Sequence, residues 1–219
     1  MKTLFGMKIN HDRNIEDYWK QACSSWIDTQ RQLCQNFTFL DAPWEYLEVT
    51  NSSLLAGSLT SAGAPAMPET FVMRKHNKSR KRVDICIVMK NSTTTNVELV
   101  ECKLAEYYAI RRNSMAIINR EFDNAREQVN NITGLNGIEF ANLPQLNPIN
   151  RTGVVIGLPC FRPNVNSLQR ANAINQIVID LQNIDMDACA WYFPGECFDR
   201  LSDRYQKYYP GTFVAIKKF

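Results

Sequence analysis

Three apolar segments follow one another closely between residues 70 and 102, and their spacing limits the folds that the chain can adopt. Residues 70–74, 83–89 and 96–102 each have the length and composition of a strand. The polar connections 76–81 and 91–95 are too short for a crossover, so successive strands must run antiparallel. The sequence therefore predicts a three-stranded antiparallel meander.

Segments with apolar residues three and four positions apart flank this meander and predict helices. They are residues 14–37, 42–56, 104–132 (with a break suggested near Asn113) and 165–184, with a helical turn at 199–205. Gly57 is expected to end the second helix, and residues 61–68 and 142–150 are expected to be irregular. Further strands are predicted at 153–159, 188–193 and 212–216. The order α, α, β, β, β, α, β, α, β, α, β indicates an α/β fold with a mixed sheet.

The composition suits one globular domain, because 219 residues with 45% hydrophobic side chains can form a single large core. The seven cysteines are odd in number and form no Cys-x-x-Cys pair, so buried free thiols in a reducing compartment are expected. No segment reaches the roughly 20 apolar residues of a membrane span, and the first ten residues do not resemble a signal peptide. A cytoplasmic protein is therefore expected.

Histidine is scarce, with only His11 and His76 in the chain. A multi-histidine metal site is therefore excluded. A Ser-His-Asp or Cys-His catalytic system would have to use one of two histidines that lie in strongly polar surroundings. Any catalysis is expected to depend on carboxylates and lysines.

Asp84, Glu101 and Lys103 form the most informative chemical pattern. Side chains two positions apart on a strand share a face, so Glu101 and Lys103 are expected to point the same way. A short hairpin brings Asp84 beside Glu101 from the neighbouring strand. Adjacent carboxylates are costly to desolvate unless a cation lies between them. A lysine relieves part of the repulsion and can orient or deprotonate an attacking water.

Oxygen ligands without histidine suit a hard cation such as Mg²⁺ or Mn²⁺. Such an ion activates water and neutralises the charge that develops in phosphodiester hydrolysis. The local chemistry therefore favours a phosphate substrate. A surface salt-bridge cluster is the structural alternative, because half-exposed strands commonly alternate charges for solubility.

Arg-Val-Asp-Ile at residues 82–85, followed after a turn by Val-Glu-Cys-Lys at 100–103, resembles the core of the PD-(D/E)xK nuclease superfamily. The resemblance covers roughly residues 42–159. It implies a restriction-endonuclease-like αβββαβ core with a mixed central sheet flanked by helices. Residues 1–40 would be an N-terminal helical extension, 42–160 the core and 161–219 a C-terminal αβ extension of a single domain. Val83 stands where the family pattern has proline.

Carried over position by position, the resemblance implies that Asp84 and Glu101 are metal ligands and that Lys103 is the catalytic lysine. The backbone carbonyl of Cys102 would be a further metal ligand. Asp84, Glu101 and Lys103 would form the centre of the active site.

Many relatives also place a glutamate on the helix before the sheet. Glu45 and Glu48 are both candidates, with a slight preference for Glu48, and Glu16 lies further upstream. Some relatives carry a glutamine on the helix after the Glu-x-Lys strand, and Gln128 resembles it. A solvated helix glutamine is the structural alternative for Gln128.

Six basic residues lie within positions 74–82, directly before Asp84. They are Arg74, Lys75, Lys78, Arg80, Lys81 and Arg82. Beside a phosphodiester site they are expected to contact the phosphate backbone of nucleic acid without selecting a sequence. A solvated hairpin tip that prevents edge pairing is the alternative.

Five aromatic residues have side chains that can stack on bases. They are Trp44, Tyr107, Tyr108, Trp191 and Tyr192. Core packing is the structural expectation for most of them.

The resemblance implies a Mg²⁺-dependent endonuclease that hydrolyses DNA, by family analogy in restriction or anti-phage defence. Two alternatives stay open: a module of the same fold that binds nucleic acid or assembles without hydrolysis, and a nuclease directed at RNA. A homodimer would suit this function, since cutting both strands of a duplex commonly uses two sites.

Overall fold

A computed structural model of the chain describes residues 2–11, 13, 15–39, 42–46, 48–74, 77–90, 94–110, 114–135, 138–139 and 146–219. The side chains of residues 74, 77–81, 114, 138–139 and 146–148 are outside this description. The helices are α1 (Asp17–Asn36), α2 (Glu48–Ser61), α3 (Ser114–Asn130) and α4 (Ser167–Asn183). The strands are β1 (Leu4–Ile9), β2 (Ala66–Arg74), β3 (Asn77–Lys90), β4 (Thr95–Tyr108), β5 (Ile132–Leu135), β6 (Ile138–Glu139), β7 (Leu146–Cys160), β8 (Ala188–Phe193) and β9 (Thr212–Lys218).

The nine strands of the described residues form one sheet in the order β1-β8-β9-β7-β4-β3-β2-β5-β6. β4 and β7 run parallel, and the other neighbouring strands run antiparallel. A parallel pair requires a crossover connection, which α3 provides. The predicted α/β class with a mixed sheet is confirmed, and the predicted meander, β2 to β4, includes the central strand β4.

Helices cover both faces of this sheet. On one face, Trp19 and Trp26 of α1 are fully buried in a core that includes Val100 of β4. On the other face, Phe122 of α3 and Ile174 of α4 belong to a second core. All seven cysteines are free and buried, as expected from the sequence. Polar backbone groups in the middle of the sheet are thus shielded from water and must find partners within the protein.

The predicted helix at residues 104–132 is wrong at its start. β4 continues to Tyr108, because its parallel pairing with β7 extends to Tyr108 and Cys160. Ala105 and Tyr107 are buried whereas Glu106 is exposed, which is the period-two alternation of a strand. α3 begins only at Ser114, next to the suggested break.

Two further expectations are wrong, and one strand was not predicted. β1 is an edge strand in which the apolar residues Phe5 and Met7 occupy exposed positions, so its sequence does not alternate between apolar and polar residues. α2 does not end at Gly57 but continues to Ser61, and the residues that follow Gly57, Ser58 and Leu59, are buried. Residues 199–205 form turns and not a helical segment.

Two strands begin within segments that were expected to be irregular. β2 begins at Ala66 and includes Pro68, which lies where β2 pairs with β3 only. A strand edge tolerates proline, because the missing N–H group leaves no ladder partner unsatisfied. β7 begins at Leu146 and therefore includes the end of the Asn- and Pro-rich segment.

Gly157 of β7 leaves space for the ring of Phe213 on β9. The two residues are cross-strand partners, and a Cβ atom at Gly157 would lie 1.9 Å from Phe213 Cζ. We expect Gly157→Ala to lower the free energy of unfolding by about 2 kcal/mol, because overpacking forces core side chains out of favourable rotamers. Urea denaturation measures this change.

Gly57→Ala is the matched control for this prediction. A Cβ atom at Gly57 would meet nothing within 4 Å. Alanine there should stabilise the protein by about 0.5–1 kcal/mol, because it favours the helix over the unfolded chain. If Gly157→Ala were as stable as the wild type, the packing of Phe213 described here would be contradicted.

Candidate active site

β3 and β4 separate near the middle of the sheet. Their ladder runs from the pair Lys90 and Thr95 to the pair Ile85 and Val100, and it ends there. β4 stays paired with β7 on its other side as far as Tyr108. Beyond Val100, β4 thus has an edge along which the described residues provide no partner strand. Its buried N–H groups need other acceptors.

Two carboxylates accept hydrogen bonds at this open edge. Asp84 Oδ2 accepts from the backbone N–H of Cys102 at 2.7 Å, and Glu48 Oε2 accepts from the N–H of Leu104 at 2.6 Å. Asp84 lies directly before Ile85, where the pairing of β3 with β4 ends, and Glu48 is the first residue of α2. The N–H and C=O groups of one strand residue point to the same edge, so the Cys102 carbonyl belongs to this edge as well.

Glu101 and Lys103 lie on one face of β4, two positions apart. Lys103 Nζ is 3.0 Å from Glu101 Oε1, and the two side chains are 15% and 5% exposed. A charged hydrogen bond in such poorly solvated surroundings is stronger than one between surface residues. The ammonium group is therefore held in a defined position beside the carboxylate.

The charged groups of this site interact electrostatically. Burial and the Glu101 carboxylate raise the pKa of Asp84 to about 7; Glu48 adds to this effect, and the Cys102 N–H and Lys103 oppose it. Burial lowers the pKa of Lys103, but Glu101, Glu48 and Asp84 outweigh it, so the net pKa lies above the ordinary value. Three carboxylates thus surround a single lysine, and the excess negative charge is unfavourable in a partly buried site.

Oxygen donors of this kind are the ligands that a hard divalent cation prefers. The carboxylates and the Cys102 carbonyl offer oxygen atoms, and a cation would relieve the repulsion that raises the Asp84 pKa. Across the described residues, no group of three or more His, Cys, Asp or Glu side chains is placed to hold a metal ion. Mg²⁺ usually uses only one or two carboxylates and keeps several waters. The Mg²⁺ site stays a prediction.

The structure places the upstream glutamates in different surroundings. Glu48 reaches the edge of β4. Glu45 lies in the turn before α2 and binds Arg200 of the C-terminal segment. Glu16 binds Lys218 of β9 at 2.6 Å. Of the three candidates, Glu48 is thus the one that contacts the strand carrying Glu101 and Lys103.

Gln128 lies on α3, which packs against β4 and β7. In the part of the chain that the structure describes, no hydrogen bond joins its side chain to Asp84, Glu101 or Lys103. The catalytic role of Gln128 therefore depends on the sequence resemblance alone.

The basic hairpin between β2 and β3 lies largely outside the described side chains. This holds for Arg74, Lys75, Lys78, Arg80 and Lys81. Arg82 is exposed; it lies 3.0 Å from Glu69 Oε2, and its guanidinium is 5.0 Å from the Phe71 ring centroid. An exposed ion pair of this kind contributes little to stability. The phosphate-binding role of the hairpin stays a prediction.

Four of the five aromatic residues that could stack on bases are core residues. Trp44, Tyr107, Trp191 and Tyr192 are buried. Tyr108 is only partly buried, and the charged ends of Arg162 and Lys207 lie 5.1 and 5.2 Å from its ring centroid. Sequence reasoning missed these two cations because they lie far from Tyr108 in the chain and carry no motif.

Comparisons with known proteins assign no family to the chain. No family model, no curated protein and no solved structure matches it. Within the described residues, none of the helices combines the length and the apolar character needed to cross a membrane. The function must therefore be inferred from the chemistry of the site.

Proposed function

We propose that the chain is a Mg²⁺-dependent endonuclease of the PD-(D/E)xK kind that hydrolyses phosphodiester bonds of DNA. The convergence of Asp84, Glu101, Lys103 and Glu48 where β3 and β4 separate carries this proposal. Three carboxylates and an amine at an open strand edge suit a cation and a phosphate. The succession α2, β2–β4, α3 and β7 supports it, because it has the order of a restriction-endonuclease-like core with β5 and β6 inserted.

The residues of the site have separate tasks in this proposal. Asp84, Glu101 and the Cys102 carbonyl would hold Mg²⁺, which when bound supplies positive charge beside the phosphate and makes a water more acidic. Lys103, held by Glu101, donates hydrogen bonds to a phosphate oxygen or to the attacking water. Glu48 fixes the edge of β4 one residue beyond Lys103.

A cleavage assay on three nucleic acids, each with and without Mg²⁺, tests the proposal. Purified protein is incubated with supercoiled plasmid, single-stranded DNA or RNA, in Mg²⁺ or in EDTA. We expect DNA to be cut in Mg²⁺ and to stay intact in EDTA. Cleavage of RNA alone would indicate a ribonuclease. Salt-sensitive binding without cleavage, indifferent to Mg²⁺ and to Asp84→Ala, would contradict the proposal in favour of a module without hydrolytic activity.

The two neighbouring glutamates should respond differently to the same substitution. Glu48→Gln is expected to lower the cleavage rate roughly tenfold or more, the usual cost of altering a group that supports a metal site. The amide can still accept from Leu104 but lacks the negative charge. Glu45→Gln is the matched control and should cleave at nearly the wild-type rate, because Glu45 binds Arg200 instead. The opposite pattern would exclude Glu48 from the site.

A further inference from the structure

A second polar surface lies beyond the candidate active site, where β4 and β7 end at Tyr108 and Cys160. Tyr108 follows Lys103 by five residues, so the two lie roughly 16 Å apart along β4, and their side chains point to opposite faces of the strand. Much of this surface comes from residues 160–209, which follow the proposed nuclease core. The surface shares the strand β4 with the candidate active site but is built from different residues.

Cationic groups lie over aromatic rings on this surface. Tyr108 contacts Arg162 and Lys207, as described above, and the Arg204 guanidinium lies 5.0 Å from the ring centroid of Tyr205. Such contacts hold a guanidinium in place while its N–H groups stay available to a ligand. Basic side chains interleaved with aromatic rings are typical of surfaces that bind single-stranded nucleic acid.

Glu106, an acidic residue of this surface, is already engaged. Glu106 accepts from Lys207 Nζ at 2.6 Å and from the Tyr209 hydroxyl at 3.0 Å. Arg162 and Arg204 are exposed, and among the residues that the structure describes neither forms an ion pair. Two guanidinium groups are thus available to phosphates.

A cleft of about 240 Å³ opens beside Tyr108 and Arg162. Its lining combines apolar side chains, among them Phe161, with the amide groups of Asn164 and Gln169. Apolar walls suit the face of a base, amides suit the polar edges of a base, and a guanidinium suits the phosphate. These are the contacts that a single nucleotide requires.

We infer that this cleft binds one unpaired nucleotide of the strand that is cut, so that single-stranded or locally unpaired DNA is the preferred substrate. That the bound strand is the one that is cut rests on the proposed function, whereas nucleotide binding at the cleft does not. The roughly 16 Å between Lys103 and Tyr108 along β4 corresponds to about five stacked nucleotides. A base in an intact duplex cannot enter the cleft without unstacking.

Fluorescence anisotropy with the full chain in EDTA tests this inference without hydrolysis. The probes are a short labelled oligodeoxynucleotide and the same sequence as a duplex. We expect the single strand to bind more tightly than the duplex. Tyr108→Leu should weaken single-strand binding at least about fivefold through lost stacking. Arg162→Gln should weaken it and reduce the slope of log K against log salt by about 0.7, the value for one phosphate contact on a single strand.

Arg126→Gln is the matched control, because the Arg126 guanidinium also lies over a ring, 5.9 Å from the centroid of Phe219, but on α3. Wild-type affinity in both Arg162→Gln and Tyr108→Leu, or a preference for the duplex, would overturn the inference. If Tyr108→Leu and Arg162→Gln weaken binding but the wild type does not cleave DNA in Mg²⁺, the inference is upheld and the proposed function is overturned. If the wild type cleaves DNA but neither variant weakens binding, the inference is overturned and the proposed function is not.

Discussion

Lys103→Ala is expected to reduce Mg²⁺-dependent DNA cleavage at least about 100-fold, the usual loss when a group that transfers a proton or stabilises developing charge is removed. Lys103 Nζ lies 3.0 Å from Glu101 Oε1. The substitution therefore removes a positive charge from the site, and this same charge orients the Glu101 carboxylate. Asp84→Ala should have a comparable effect, because Asp84 would be a metal ligand. Initial rates on supercoiled plasmid measure both.

The matched control for this prediction is Lys20→Ala. Lys20 also forms an ion pair, 2.9 Å from Asp17, but on the exposed surface of α1. It should cleave at the wild-type rate, and circular dichroism should show that all these variants are folded. Wild-type cleavage by folded Lys103→Ala would remove Lys103 from the active site.

Glu98→Ala is expected to destabilise the fold by about 3 kcal/mol or more, because each buried donor left without its acceptor costs about 1–3 kcal/mol. Glu98 is 2% exposed on β4. Its carboxylate accepts from the Tyr18 hydroxyl, from the Trp19 indole N–H at 3.0 Å and from the Thr152 hydroxyl. These bonds connect α1, β4 and β7, so their loss weakens three elements at once. Urea denaturation measures the change.

Thr152→Val provides the graded control for Glu98→Ala. It keeps the shape of the side chain and removes one of the three donors, so the loss should be about 1 kcal/mol. If Glu98→Ala were no less stable than Thr152→Val, Glu98 would not have the central structural position described here.

The pH dependence of stability offers a separate test of Glu98. Burial raises the pKa of the Glu98 carboxyl, and the hydrogen bonds from Thr152, Tyr18 and Trp19 offset this only in part. A raised pKa in the folded state gives stability that is present below the unfolded-state pKa and is lost as the pH rises through the folded-state pKa. The stability of the wild type relative to Glu98→Gln should therefore decrease from pH 4 to pH 8. A difference that does not change with pH would contradict this.

The central strands could be predicted from the sequence because their pattern is local. Val83 to Met89 and Asn96 to Cys102 have strand composition and short connections, so the placement of Asp84 near Glu101 and Lys103 followed from period-two geometry. Which of Glu45 and Glu48 reaches the candidate site could not be predicted from the sequence pattern. It depends on Arg200, which engages Glu45 from a distant part of the chain.

The point where β3 and β4 separate could not be predicted for the same reason. β4 continues to Tyr108 because β7, beyond α3, pairs with it, and the sequence after Lys103 is equally compatible with a helix. Glu98 and Glu101 look alike as acids in an apolar strand. One is buried as an acceptor for α1 and β7, and the other faces Lys103, so only tertiary contacts distinguish them.

Binding of Mn²⁺, followed by electron paramagnetic resonance, tests most directly whether the carboxylates at the separation of β3 and β4 form a cation site. We expect the wild type to bind Mn²⁺ saturably and Asp84→Asn to bind it at least about tenfold more weakly. Asp203→Asn, which alters an exposed acid outside the site, should bind as the wild type does. Absence of saturable binding by the wild type, or undiminished binding by Asp84→Asn, would contradict a cation site at Asp84.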